Sequence, residues 1–148
     1  MASLTSNKLR QLLLNAGIDL LSNTIKVMLV NTSYTPDKDH DFVDSITGGT
    51  SKEISGTGYT AGFGGGGRKT LASKTVTKDN SADTAYLDAA DLTWTGINAG
   101  TIGGLAVIKE VTSDADSPLL CFVDVTDLVT NGGDVTIQWA ADGIFKLS

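Results

Sequence analysis

Gly62, Gly64 and Gly67 stand at the G-x-G-x-x-G spacing of a dinucleotide-binding turn, and Gly56-x-Gly58-x-x-Ala61 nearly repeats it. Such a turn works by opening a helix, whose N-terminal N–H groups hold the pyrophosphate. Here Arg68-Lys69-Thr70-Leu71 leads instead into an alternating, strand-like stretch. A phosphate-cradling loop would place Lys directly after Gly67, where Arg68 stands and Lys69 follows one step late. The run therefore reads as glycine used for positive φ or for close backbone approach, with no nucleotide cofactor.

Asp37, Asp39, Asp41 and Asp44 surround His40. Alternate aspartates resemble the start of a calcium loop, but Phe42 occupies the place of the turn glycine and no glutamate stands near Gly48. The stretch reads as a solvated acidic loop, as does the one holding Asp114 and Asp116. Zinc is unsupported by one His and one Cys far apart, so no metal is assigned. His40 is the only histidine, and no nucleophile-elbow pattern lies near it, so no catalytic residue is assigned and the chain reads as non-enzymatic. Cys121, inside Leu119–Val123, reads as a small buried hydrophobe. Trp94 and Trp139 sit in strand patterns and read as core or subunit-contact aromatics.

The 148 residues suffice for one domain with its own core. A net charge of −6 disfavours nucleic acid by repulsion. No leader pattern precedes the first Leu run, and no apolar stretch approaches the ~20 residues that cross a bilayer, so assembly in a cytosol without membrane attachment is expected. Residues 3–21 read as a helix: Ser3, Thr5 or Ser6 caps it, Leu9, Leu12, Leu13, Ala16 and Leu20 form one stripe, and Gly17 weakens or ends it. Residues 24–148 read as a β domain. Ile25, Val27 and Leu29 alternate with a mixed face of Lys26, Met28 and Val30. Strand-like runs follow at 71–77, 84–87, 92–95, 105–111, 119–125, 135–139 and 144–147, with Phe42, Val43 and Ile46 anchoring the turn-rich 31–49. The expected fold is mainly β: an antiparallel sandwich or barrel of about seven to nine short strands with one N-terminal helix and a mobile glycine-rich loop at 56–69.

In order along the chain stand Ile25–Pro36 (IKVMLVNTSYTP), Ser55–Gly62 (SGTGYTAG), Leu71–Thr77 (LASKTVT), Asp88–Thr95 (DAADLTWT), the apolar strand before Ser117–Leu120 (SPLL), and Trp139–Leu147 (WAADGIFKL). Together they resemble a family of small virion structural proteins of tailed bacteriophages, with a longer glycine run at Gly64–Gly67 and a looser Gly100–Gly104 region. The resemblance implies a small β-rich protein without enzymatic activity, carried in the virion. Its partners would be the major capsid protein and sister subunits in a homo-oligomer, most simply as a decoration or cement protein on the capsid exterior. A neck, tail-tube or other tail-associated protein is one alternative, and a receptor- or glycan-binding module on the particle is another. Leu9, Leu12 and Leu13 of the helix, and Gly56, Gly58, Tyr59, Phe63, Arg68 and Lys69 of the loop, are the candidate partner contacts. The competing reading of the helix is that it packs on its own sheet.

Overall fold

A computed structural model describes residues 3–148. Among these the fold is mainly β, with ten short antiparallel strands in three sheets and a short N-terminal helix. In chain order the elements are β1 (Leu4–Thr5), α1 (Asn7–Leu14), β2 (Ile25–Asn31), α2 (Asp44–Thr47), β3 (Lys69–Thr70) and β4 (Thr75–Asp79). There follow β5 (Thr84–Asp88), β6 (Leu92–Trp94), β7 (Thr101–Lys109), β8 (Leu119–Val129), β9 (Val135–Ile137) and β10 (Phe145–Leu147). The sheets are ordered β1-β8-β7-β2-β3, β10-β5-β4 and β6-β9.

The helix is shorter than its apolar stripe suggests. Leu4 and Thr5, instead of entering the helix, pair with Phe122 and Cys121 on β8. Ser6 then caps α1: its Oγ accepts from the Leu9 N–H (3.0 Å) and donates to the Leu119 carbonyl (2.6 Å). At the other end Ala16 takes φ +54° and the Gly17 N–H turns back to the Leu12 carbonyl, which closes the helix before Leu20. Ser6 is fully buried, so Ser6→Ala removes a helix cap and orphans a sheet carbonyl together. The expected cost is about 1–2 kcal/mol, read as a lower urea midpoint with unchanged slope.

Strands β2 and β7 are buried on both faces, so the face of β2 that reads as mixed is covered as well. Ile25, Val27 and Leu29 lie with Leu105 and Val107 in one core, which also holds Leu9, Tyr59, Leu87, Trp94 and Phe145. Met28 and Val30 lie with Ala106, Ile108 and Phe122 in a second core, covered by Tyr34, Val43 and Ile46 from the polar 31–49 stretch. That stretch carries a one-turn helix, α2, which composition did not foreshadow; of the expected anchors Val43 and Ile46 are buried, while Phe42 is half-buried with the Lys8 ammonium over its ring. Lys26, the one charge in the middle of β2, pairs with Glu110 at 2.8 Å. Three register shifts interrupt the sheet, one of them between Ile102 and Gly104 of β7, where residues 125–127 of β8 stand opposite Gly103 alone. Leu120 is an extra residue on β8 opposite Val107–Ile108, and Gly103 is an extra residue on β7 opposite Val30–Asn31. A Cβ on Gly103 would lie 2.7 Å from the Thr32 Cα, so only glycine fits there. The expected strand at 71–77 is displaced to 75–79, because Ser73 adopts φ +52° and turns the chain between β3 and β4.

Candidate functional site: the glycine-rich loop and its buried anchor

The glycine-rich segment is folded against the body of the protein. Gly56 and Tyr59 close a tight turn on each other, and the Asn98 N–H donates to the Thr57 carbonyl. A Cβ on Gly56 would sit 2.5 Å from the Asn98 carbonyl oxygen. Gly58 has φ +76°, and a Cβ added there would lie 2.8 Å from the Gly96 carbonyl oxygen. These two candidate contacts therefore serve the packing of this turn against residues 95–99.

Tyr59 and Arg68, also candidate contacts, are buried and spend their polar groups internally. Arg68 grips Glu53 in a fork, Nε to Oε1 at 2.9 Å and Nη2 to Oε2 at 2.7 Å. It reaches Asp114 with Nη1 at 2.6 Å and Nη2 at 3.1 Å. The Tyr59 hydroxyl donates to Glu53 Oε1 (2.9 Å) and accepts from the Leu29 N–H of β2 (3.0 Å). The Gly62 N–H donates to Glu53 Oε2 (3.0 Å), and Thr47 Oγ1 donates to Asp114 Oδ2 (2.9 Å). Trp94 Nε1 donates to the Gly67 carbonyl at 2.7 Å, with the Lys69 ammonium 5.9 Å from its ring centre. One guanidinium thus ties α2, the glycine loop and the 112–117 turn to the central sheet. Such a buried ion pair holds because both carboxylate oxygens and all three guanidinium nitrogens have partners. Among the described residues no buried side-chain polar atom lacks one.

Burial opposes the charges here, and the hydrogen bonds outweigh it. Desolvation favours neutral Arg68, but its bonds to Glu53 and Asp114 raise the guanidinium above its ordinary value. Desolvation likewise favours protonated Asp114, yet the bonds from Arg68 and Thr47, with the Arg68 charge, hold its carboxyl below 3.8. A depressed carboxyl stabilises the fold above its unfolded value and loses that contribution as pH falls through the folded one. Stability is therefore expected to fall in acid, below about pH 4, and Asp114→Asn to flatten part of that fall. Asp19, Asp116 and Asp142 are lowered as well and act in the same direction. Urea midpoints across a pH series check the difference between the two proteins.

Above the anchor the tip Gly62–Gly66 follows a backbone path that glycine favours. Gly62, Gly64 and Gly66 have φ of +91°, +77° and +86°, and a Cβ on Gly65 would lie 2.1 Å from the Ala61 carbonyl oxygen. Phe63 is held outward, 44 % exposed, as the one large side chain of the tip. From Ile54 to Gly67 the chain carries no charged residue. Of the helix candidates, Leu9 is fully buried and Leu12 and Leu13 are half-buried against the first core, so the stripe lies on the protein's own sheet. Lys69 is half-buried.

The acidic run is spread out. Asp39 accepts from Asn7 Nδ2, Asp37 closes its own turn at the Asp39 N–H, and His40 Nδ1 shares a hydrogen bond of 2.9 Å with the Tyr34 hydroxyl. Among the described residues no three His, Cys, Asp or Glu groups converge to hold a metal. Cys121 is buried, and its apolar surroundings push the thiol well above its ordinary value. Glu53, the residue on which the anchor turns, was not singled out in the sequence. Its signal is that Glu53 and Arg68 bracket the charge-free stretch.

No protein-family model, curated protein or solved structure matches this chain.

Proposed function

We propose that the chain is a non-enzymatic structural protein of a tailed-bacteriophage virion that decorates the capsid exterior, against the major capsid protein and among sister copies. The observation that carries this reading is the loop. Segment Ser55–Gly62, the most distinctive piece of the phage-like pattern, builds a surface without charge on a protein of net charge −6, fixed in shape by a buried ion pair. A loop ordered in advance loses little entropy on docking, and a lattice of identical neighbours multiplies a modest contact. The acidic remainder of the surface keeps free copies soluble before assembly.

A neck or tail ring is the second reading, favoured by the same fixed loop at a stacking contact. A glycan-binding role has less support: Trp94 is buried with its N–H on the Gly67 carbonyl, and Trp139 is half-buried with its N–H on the Ala90 carbonyl. Quantitative mass spectrometry of purified particles tests the choice. Copies comparable in number to the major capsid protein are expected, and a single ring's worth would overturn decoration.

A further inference from the structure

The five-stranded sheet ends in β1 on one side and β3 on the other, roughly 19 Å apart at the usual strand spacing. The glycine loop belongs to the β3 side. Arg68 leads straight into β3, and Tyr59 is bonded to Leu29 of the adjacent β2. On the β1 side lies a cleft of about 430 Å3 between the β1–β8 pair and the turn into β10, within the size range of binding sites. Leu4, Val123, Ile144 and Phe145 supply its apolar wall, and Asp142 and Lys146 pair with each other at its rim. Both β1 and β10 are edge strands, each paired on one side only.

We propose that the Phe63 tip of one molecule docks in the β1–β10 cleft of a second copy. Tip and cleft suit each other in three ways. The tip is narrow, because Phe63 is its one large side chain and is flanked by Gly62 and Gly64. Neither surface carries net charge, so two molecules of charge −6 meet there without direct repulsion between the contacting groups. Edge strands offer backbone donors and acceptors to a loop rich in bare peptide groups. A molecule cannot fill its own cleft, since the Gly62 N–H is bonded to Glu53 and keeps the tip beside its anchor. The contact is therefore head-to-tail, and repeating it closes a ring or extends a filament.

The proposal rests on the reading of the loop as a contact surface, and not on where in a virion the protein sits. Its test uses the purified chain alone. Sedimentation velocity is run on wild type, Phe63→Glu and Lys146→Glu up to about 1 mM, the weak end of specific affinity. Both substituted side chains are exposed, and Lys146→Glu puts a second negative charge beside Asp142. Wild type is expected to grow in mass with concentration, and each variant to associate at least ten-fold more weakly. An equimolar mixture of the two is expected to form dimers that grow no further, because it holds one intact tip and one intact cleft per pair. A wild type monomeric throughout, variants that associate like wild type, or a mixture that stays monomeric would each overturn the proposal. None of these results alters the copy number in particles, so the two readings fail separately.

Discussion

Arg68→Met is expected to cost about 3–5 kcal/mol of folding stability, the range found when one partner of a buried ion pair is removed. Glu53 has no exposed side-chain surface, and without the guanidinium its carboxylate keeps only the Tyr59 hydroxyl and the Gly62 N–H. Asp114, one-fifth exposed, recovers solvent and adds little to the loss. The double variant Glu53→Gln, Arg68→Met should cost clearly less than the sum of the single changes, because it leaves no bare charge in the interior. Urea unfolding followed by tryptophan fluorescence measures both, since Trp94 is bonded to the carbonyl of the residue before Arg68. Amide exchange at Gly62 and Gly67 should accelerate in the single variant as the loop opens locally. A loss below about 1 kcal/mol, the scale of a surface ion pair, would mean that the network does not hold the loop.

Phe122→Ala is expected to cost a similar amount, about 3–5 kcal/mol, as for other buried aromatic truncations. The Phe122 ring packs 5.7 Å from Tyr34 in the second core and lies over Gly104 of β7. A Cβ on Gly104 would come within 2.1–2.4 Å of that ring, so Gly104→Ala alone overpacks the site at about 1–3 kcal/mol. In the Phe122→Ala background the same methyl enters vacated space. The two changes should therefore couple, with the double variant less destabilised than the sum. Additive costs in denaturant unfolding would show that Gly104 is required for some reason other than the ring.

What the sequence disclosed follows from the range of each interaction. Strand runs at β5, β6, β8 and β9 were legible from local alternation and the turn residues between them. The Ser6 cap is local too, and the end of α1 was half legible: Gly17 marked a residue that weakens or ends the helix, but the Leu stripe runs on to Leu20, and Ala16 stops the helix with a backbone angle that its residue type disfavours. The two-sided burial of β2 was hidden, because the polar 31–49 stretch gave little sign of covering Met28 and Val30 with Val43 and Ile46. The anchor is the least local feature of all. Glu53 and Arg68 are fifteen residues apart, and Arg68 and Asp114 forty-six, so nothing in sequence spacing announces that they meet. The glycine run was readable as glycine required for backbone reasons. That it forms a pinned loop, with Tyr59 and Arg68 inside and Phe63 outside, emerges only from the packing.

The most direct measurement of the proposed role is a cryo-EM reconstruction of purified phage particles, searched for density that this fold fits. Copies distributed over the head lattice are expected, each with its Gly62–Gly67 tip buried against a neighbouring subunit. Density confined to a neck ring or a tail stack, or a tip that faces solvent in every copy, would contradict that role.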